Sequence, residues 1–114
     1  MELDVIVKRL NLKVRSGSQN LTVEVTGGYA GDLLSDVIAN SKQGDIWITR
    51  QVHQNIVAVA TLKDLAGIIL VGNNEPAKET LEKAVHENVP LLVSELGCFE
   101  TAGRIYRLIS AQKA

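Results

Sequence analysis

A chain of 114 residues, 46% of them hydrophobic and 22% charged, can build one domain, residues 1–114, with a core of its own, and not two. Its formal net charge of -1 excludes the Lys/Arg excess that binding nucleic-acid phosphates calls for, and an aromatic content of 4% leaves few rings for stacking on bases. A single cysteine, Cys98, excludes an internal disulfide and fits a reducing compartment.

In chain order, Leu3, Ile6, Val7 and Leu10 have the spacing of a short helix, although Leu3, Val5 and Val7 also alternate as a strand would. Asn11–Arg15 alternates through Leu12 and Val14 and reads as a strand; Ser16–Asn20 is a polar turn. Leu21, Val23 and Val25 alternate again and predict a strand ending at Thr26-Gly27-Gly28. Leu33, Leu34, Val37 and Ile38 share one helical face, with Asp32 the expected N-cap and Gly44 in the closing turn.

From there a rhythm takes over. Ile46-Trp47-Ile48, Ile68-Ile69-Leu70-Val71 and Leu91-Leu92-Val93 recur at intervals of about twenty-two residues, with a helix-patterned segment in each gap. That is the spacing of a parallel strand–helix–strand crossover. Apolar runs without alternation suit strands buried on both faces, so helices should cover the sheet on two sides. The fold class is therefore α/β: three layers, α/β/α, around a mainly parallel sheet of about four to five strands.

The helix expected over Asn55–Ala66 is apolar almost all round, through Ile56, Val57, Val59, Ala60, Leu62 and Leu65. Either a further helix or an equivalent chain must cover it. A symmetric homodimer is expected, weakened by a charge at Val57 or Ala58. Ala77, Leu81, Ala84 and Val85 form an amphipathic helix behind Pro76, with Lys78, Glu79, Glu82 and Lys83 on its solvated face. The last helix, after Gly97, directs Ala102, Ile105, Tyr106 and Ile109 inward and Arg104 and Arg107 outward.

The opening Met1-Glu2-Leu3-Asp4 lacks the basic lead and continuous apolar stretch of a secretion signal. The longest uncharged apolar run, Ile56–Leu62, is too short to span a bilayer. A cytoplasmic protein without membrane or nucleic-acid partners is the expectation.

Several stretches resemble a known family. Gly27-Gly28-Tyr29-Ala30-Gly31-Asp32-Leu33-Leu34-Ser35-Asp36-Val37, then Gly44-Asp45-Ile46-Trp47-Ile48-Thr49, His53-Gln54-Asn55-Ile56 and Leu65-Ala66-Gly67-Ile68-Ile69 are similar to the DRTGG domain family. The likeness runs from about Leu3 to Leu108 and is strongest to small stand-alone members related to the N-terminal domain of HPr kinase/phosphorylase. It implies the fold shared by the N-terminal domains of HPr kinases and Mur ligases. It also implies regulatory or accessory work, since such domains accompany CBS pairs and phosphotransacetylase catalytic regions, and it carries over no catalytic residue.

Kinase chemistry would require a phosphate loop of the form Gly-x-x-x-x-Gly-Lys-Ser/Thr. The chain has none: Gly97 and Gly103 are followed by Arg104-Ile105, and in HPr kinases the catalytic half is a separate C-terminal domain. Thr26-Gly27-Gly28-Tyr29-Ala30-Gly31 reads as a strand-to-helix loop, offering N–H groups to an anion or simply making a tight turn. Thr49, Arg50, Gln51, His53 and Asn55 form a polar cluster between a buried strand and a buried helix, where open α/β sheets hold ligands. Gly72-Asn73-Asn74-Glu75 should border the same crevice, with Ser94-Glu95 completing it or capping the final helix.

The expected ligand site, at the carboxyl ends of the strands, is therefore lined by Gly27, Gly28, Thr49, His53, Asn55 and Asn73. A protonated His53 would favour an anion. His53, His86 and Cys98 show no paired ligand spacing, so neither metal nor cofactor is expected. Three readings follow: a non-catalytic regulatory module that binds a small anionic metabolite or nucleotide and self-associates; a ligand-free scaffold docking onto a larger enzyme; and a small acid/base enzyme using His53 with Asp32. The first is preferred, because no paired acid/base motif supports the third.

Overall fold

A computed structural model of the chain describes residues 1–113. Its elements run α1 (Leu3–Leu10), β1 (Lys13–Ser16), a 3-10 turn (Ser18–Asn20), β2 (Gly27–Ala30), α2 (Leu34–Asn40), β3 (Asp45–Thr49), α3 (Asn55–Lys63), β4 (Gly67–Leu70), α4 (Lys78–Glu87), β5 (Leu91–Val93) and α5 (Cys98–Lys113). One five-stranded sheet has the order β1-β5-β4-β3-β2. β2 through β5 run parallel and β1 pairs antiparallel with β5. The three apolar blocks are its centre, and every residue of β3, β4 and β5 is buried.

Period-two alternation sorts these strands into two cores. Ile46, Ile48, Ile69 and Leu92 face α1 and α5, where they meet Leu3, Ile6, Leu10, Ile105 and Ile109. Trp47, Ile68, Leu70, Leu91 and Val93 face α2, α3 and α4, where they meet Val37, Ile56, Val57, Ala60 and Ala84. This is the α/β/α sandwich that doubly buried strands require. The indole N–H of fully buried Trp47 donates to the Gly31 carbonyl at 2.9 Å, so the largest core side chain leaves no orphan donor.

Three helices end on Asn or Asp in the left-handed conformation that glycine takes most readily. α1, α3 and α4 close on Asn11, Asp64 and Asn88, each left-handed and each returning its N–H to the last turn. The α1 segment takes the helical of its two readings.

Three expectations change. Leu21–Val25 is not a sheet strand. Its backbone instead lies along the start of α1, with Leu3 N–H on Val23 O at 3.0 Å and Val25 N–H on Met1 O at 2.7 Å. The alternation there puts Val25 under α1, so burial was read correctly and the partner was not. The edge strand is Gly27–Ala30, which the glycines had marked as a loop. Asp32, finally, does not cap α2, whose N-cap is Leu33.

α3 is covered by helices of its own chain, packing against α2 on one side and α4 on the other. Ile56 and Val57 are fully buried, and Ala58 and Leu62 are its exposed apolar residues. The ground for a dimer through α3 is thereby removed. Among the described residues no helix is long and apolar enough to cross a membrane.

Candidate functional site

The carboxyl edge of the sheet gathers Thr49, His53, Asn55 and Asn73, as expected, but not Gly27 and Gly28. Those two open β2 and pair with Asp45 and Ile46 at the start of β3, so they lie toward the opposite end of the sheet from Thr49. The reason is that Gly27–Ala30 is the strand itself. Gly27 allows a close approach: a β-carbon there would stand 2.8 Å from Asp45 Oδ1.

At the carboxyl edge the polar groups satisfy one another. The fully buried Thr49 hydroxyl donates to Asp32 Oδ1 at 2.8 Å, and Arg50 N–H donates to the same oxygen at 2.8 Å. Thr49 Oγ1 in turn accepts from Gln51 N–H at 3.2 Å, while Gln51 Nε2 reaches Asp32 O at 3.1 Å. A carboxylate therefore sits where an anion would have to enter. α2 adds Asp36 in its first turn, and with seven residues it offers little dipole. The helix start after Gly28 is thus no anion cradle. His53 and Asn55 are exposed at the entry to α3, and among the described residues neither side chain finds a hydrogen-bond partner.

Further along this edge Asn73, left-handed at the end of β4, accepts from Lys13 Nζ at 3.0 Å. Arg15 forms a two-pronged pair with Glu75, at 2.8 and 2.7 Å. The bond from Arg15 holds the Glu75 carboxyl below its ordinary range. These contacts tie β1 to the loop after β4. Asp32→Ala is expected to leave the buried Thr49 hydroxyl without an acceptor. It should cost about 1–2 kcal/mol, with Asp32→Asn recovering part, as calorimetric melting will show.

A large concavity lies elsewhere, between β2 and α5. β2 ends the sheet, and its outer edge is unpaired. Gly28 and Ala30 present almost no side chain to α5, so a groove of about 790 Å³ opens there. Ile48, Ala102, Ile105 and Ile109 floor it, and Phe99 and Tyr106 stand at its mouth. Lys113 closes one end, its Nζ 3.3 Å from Thr26 O. Among the described residues no carboxylate lines it, and Lys113 is the charged side chain in its wall. Mostly apolar walls with a few placed polar groups are the usual form of a small-molecule site.

Tyr106 was expected to point inward and does not: it is 76% exposed, and Phe99 is 94% exposed. The buried stripe of α5 runs through Thr101, Ile105 and Ile109, and Tyr106 lies off it. The signal that finds these rings is a second spacing on the same helix, through Phe99, Gly103, Tyr106 and Ser110. Among the described residues no group of three or more His, Cys, Asp or Glu side chains could hold a metal ion.

The DRTGG domain profile matches residues 5–108. The chain belongs to the DRTGG domain family. Among solved structures, this DRTGG chain is similar to the CBS and DRTGG domains of the regulatory region of Clostridium perfringens pyrophosphatase, complexed with its activator, diadenosine tetraphosphate. The two share 18% identity at a TM-score of 0.72, over 89% of this chain and 44% of that one. The likeness shows the fold, and the DRTGG chain spans less than half the length of that neighbour. No curated protein matches it significantly.

Proposed function

We propose that this DRTGG chain is a non-catalytic regulatory module that binds a small anionic ligand of the nucleotide class in the groove between β2 and α5, and that it self-associates. The observation that carries the reading is the composition of that groove. Its apolar floor and two exposed rings suit a flat base, and the ammonium of Lys113 suits a phosphate. Gly27 and Gly28 belong to it as the side-chain-free wall. The nucleotide bound by the pyrophosphatase regulatory region supports the class of ligand. Thr49, His53, Asn55 and Asn73 stay on the carboxyl edge, where Asp32 disfavours an anion.

A ligand-free docking module for a larger enzyme is the second reading, favoured by the exposure of Phe99. Thermal melting with adenosine, AMP, ATP and diadenosine tetraphosphate separates the two. A ligand at a hundredfold over its dissociation constant adds about 2.7 kcal/mol of stability. The phosphorylated compounds should raise Tm and adenosine should do so less. Tyr106→Ala and Lys113→Ala should each remove most of the shift. No shift with any nucleotide would leave the docking reading.

A further inference from the structure

We infer that a second copy of this chain packs its α5 antiparallel against the outer face of α5, and that the pair of helices closes the mouth of the β2–α5 groove. Phe99, Gly103, Tyr106 and Ser110 follow one another at steps of four, three and four residues, the spacing of a coiled-coil seam. All four are exposed, and none belongs to the buried stripe of α5. The helix thus has two faces, one spent on its own core and one without a partner in the chain.

The second face is self-complementary. About a twofold axis centred between Gly103 and Tyr106, each Phe99 falls opposite the second copy's Ser110 and each Tyr106 opposite the second copy's Gly103. Large meets small in every layer, which is how facing helices interdigitate. The flanking positions agree. Glu100 and Arg107 lie on the same side of the seam, the e positions, and antiparallel packing brings each Glu100 beside the second copy's Arg107. Opposite charges therefore meet twice across a closed, isologous contact. The alternative register, parallel, would set Phe99 against Phe99 and leave Glu100 and Arg107 without each other.

Gly103 supplies an independent observation. A glycine inside a 16-residue helix weakens it, and among the described residues nothing lies within 4 Å of where a β-carbon on this one would stand. Its smallness serves no contact within the chain, and it is the hole that the second copy's Tyr106 would fill. Closing the groove in this way couples assembly to the ligand proposed above. That coupling rests on the nucleotide reading, whereas the seam does not.

Sedimentation of the full chain without nucleotide, from a few to several hundred micromolar, tests the seam. A reversible dimer is expected. Gly103→Leu, which fills open space and favours the helix, should stay folded and weaken the dimer at least tenfold. Glu100→Arg and Arg107→Glu should each weaken it, and the double exchange should restore it. A monomer throughout that range, or a dimer indifferent to all four variants, would overturn the inference. A dimer with this mutational pattern in a chain that takes no nucleotide would uphold the seam and remove only the ligand reading.

Discussion

Val57→Asp is expected to unfold the domain, and Ala58→Asp, one residue along the same helix, to leave it folded. Val57 is fully buried among the side chains that α2, α3 and α4 press onto the sheet. The side chains packed there are apolar, so an aspartate among them is desolvated. An uncompensated buried charge costs about 3–5 kcal/mol, to which the lost apolar packing adds. Domains of this size have about 5–15 kcal/mol in total. Ala58 is exposed, and a carboxylate there meets water, with an effect within about 0.5 kcal/mol. Far-ultraviolet circular dichroism against urea reads both. If Val57→Asp were folded and merely monomeric, α3 would be an interface and the packing described above would be wrong.

This contrast also marks how far the amino-acid sequence could be read. Ile46–Ile48, Ile68–Val71 and Leu91–Val93 were legible as strands because burial on both faces removes alternation, and because they recur with a helix-patterned segment in each gap. The surplus of apolar residues on α3 was legible too. What covers them was not, since a flanking helix and a second chain bury the same surface and leave the same pattern. Gly27–Ala30 was illegible as a strand because glycine is a poor strand former. It pairs because the β3 edge beside it is open, and at Gly27 the absent side chain leaves room for the Asp45 carboxylate. Tyr106 was misplaced for a related reason: adjacent to Ile105, it lies at the margin of the apolar stripe, where a helical period cannot separate a core residue from a ring left outside. The polar cluster at Thr49 was found, but its meaning turned on Asp32, a residue seventeen positions away whose carboxylate occupies it. Hydrogen-bond types can be inferred from composition, whereas mutual satisfaction depends on tertiary distance.

Gly17→Ala should be the costliest of the conservative changes, and it tests how the antiparallel edge is fastened. The residue was read as part of a polar turn, yet it is buried, with φ of 75°. A β-carbon on it would stand 2.6 Å from the Cα of Pro90 and 2.7 Å from its nitrogen. Those are backbone atoms at the entry to β5, held in turn by Ile68 N–H on Pro90 O at 2.9 Å, so the neighbour cannot rotate away. The left-handed conformation costs a non-glycine residue about 1–2 kcal/mol, and overpacking against fixed atoms adds about 1–3 kcal/mol. Next to it the buried Ser16 hydroxyl donates to Val89 O at 2.7 Å, so a shift of this turn breaks that bond as well. β1 is tied to the sheet through β5 alone, with a bulge between Val14 and Ser16. The expected result is a loss of about 2–5 kcal/mol in urea denaturation, with early hydrogen exchange in β1. Gly103→Ala is the control, because it meets no neighbour and should raise stability by up to about 1 kcal/mol. Equal, small effects from the two substitutions would mean that the close approach of Gly17 to Pro90 does not hold β1 in place.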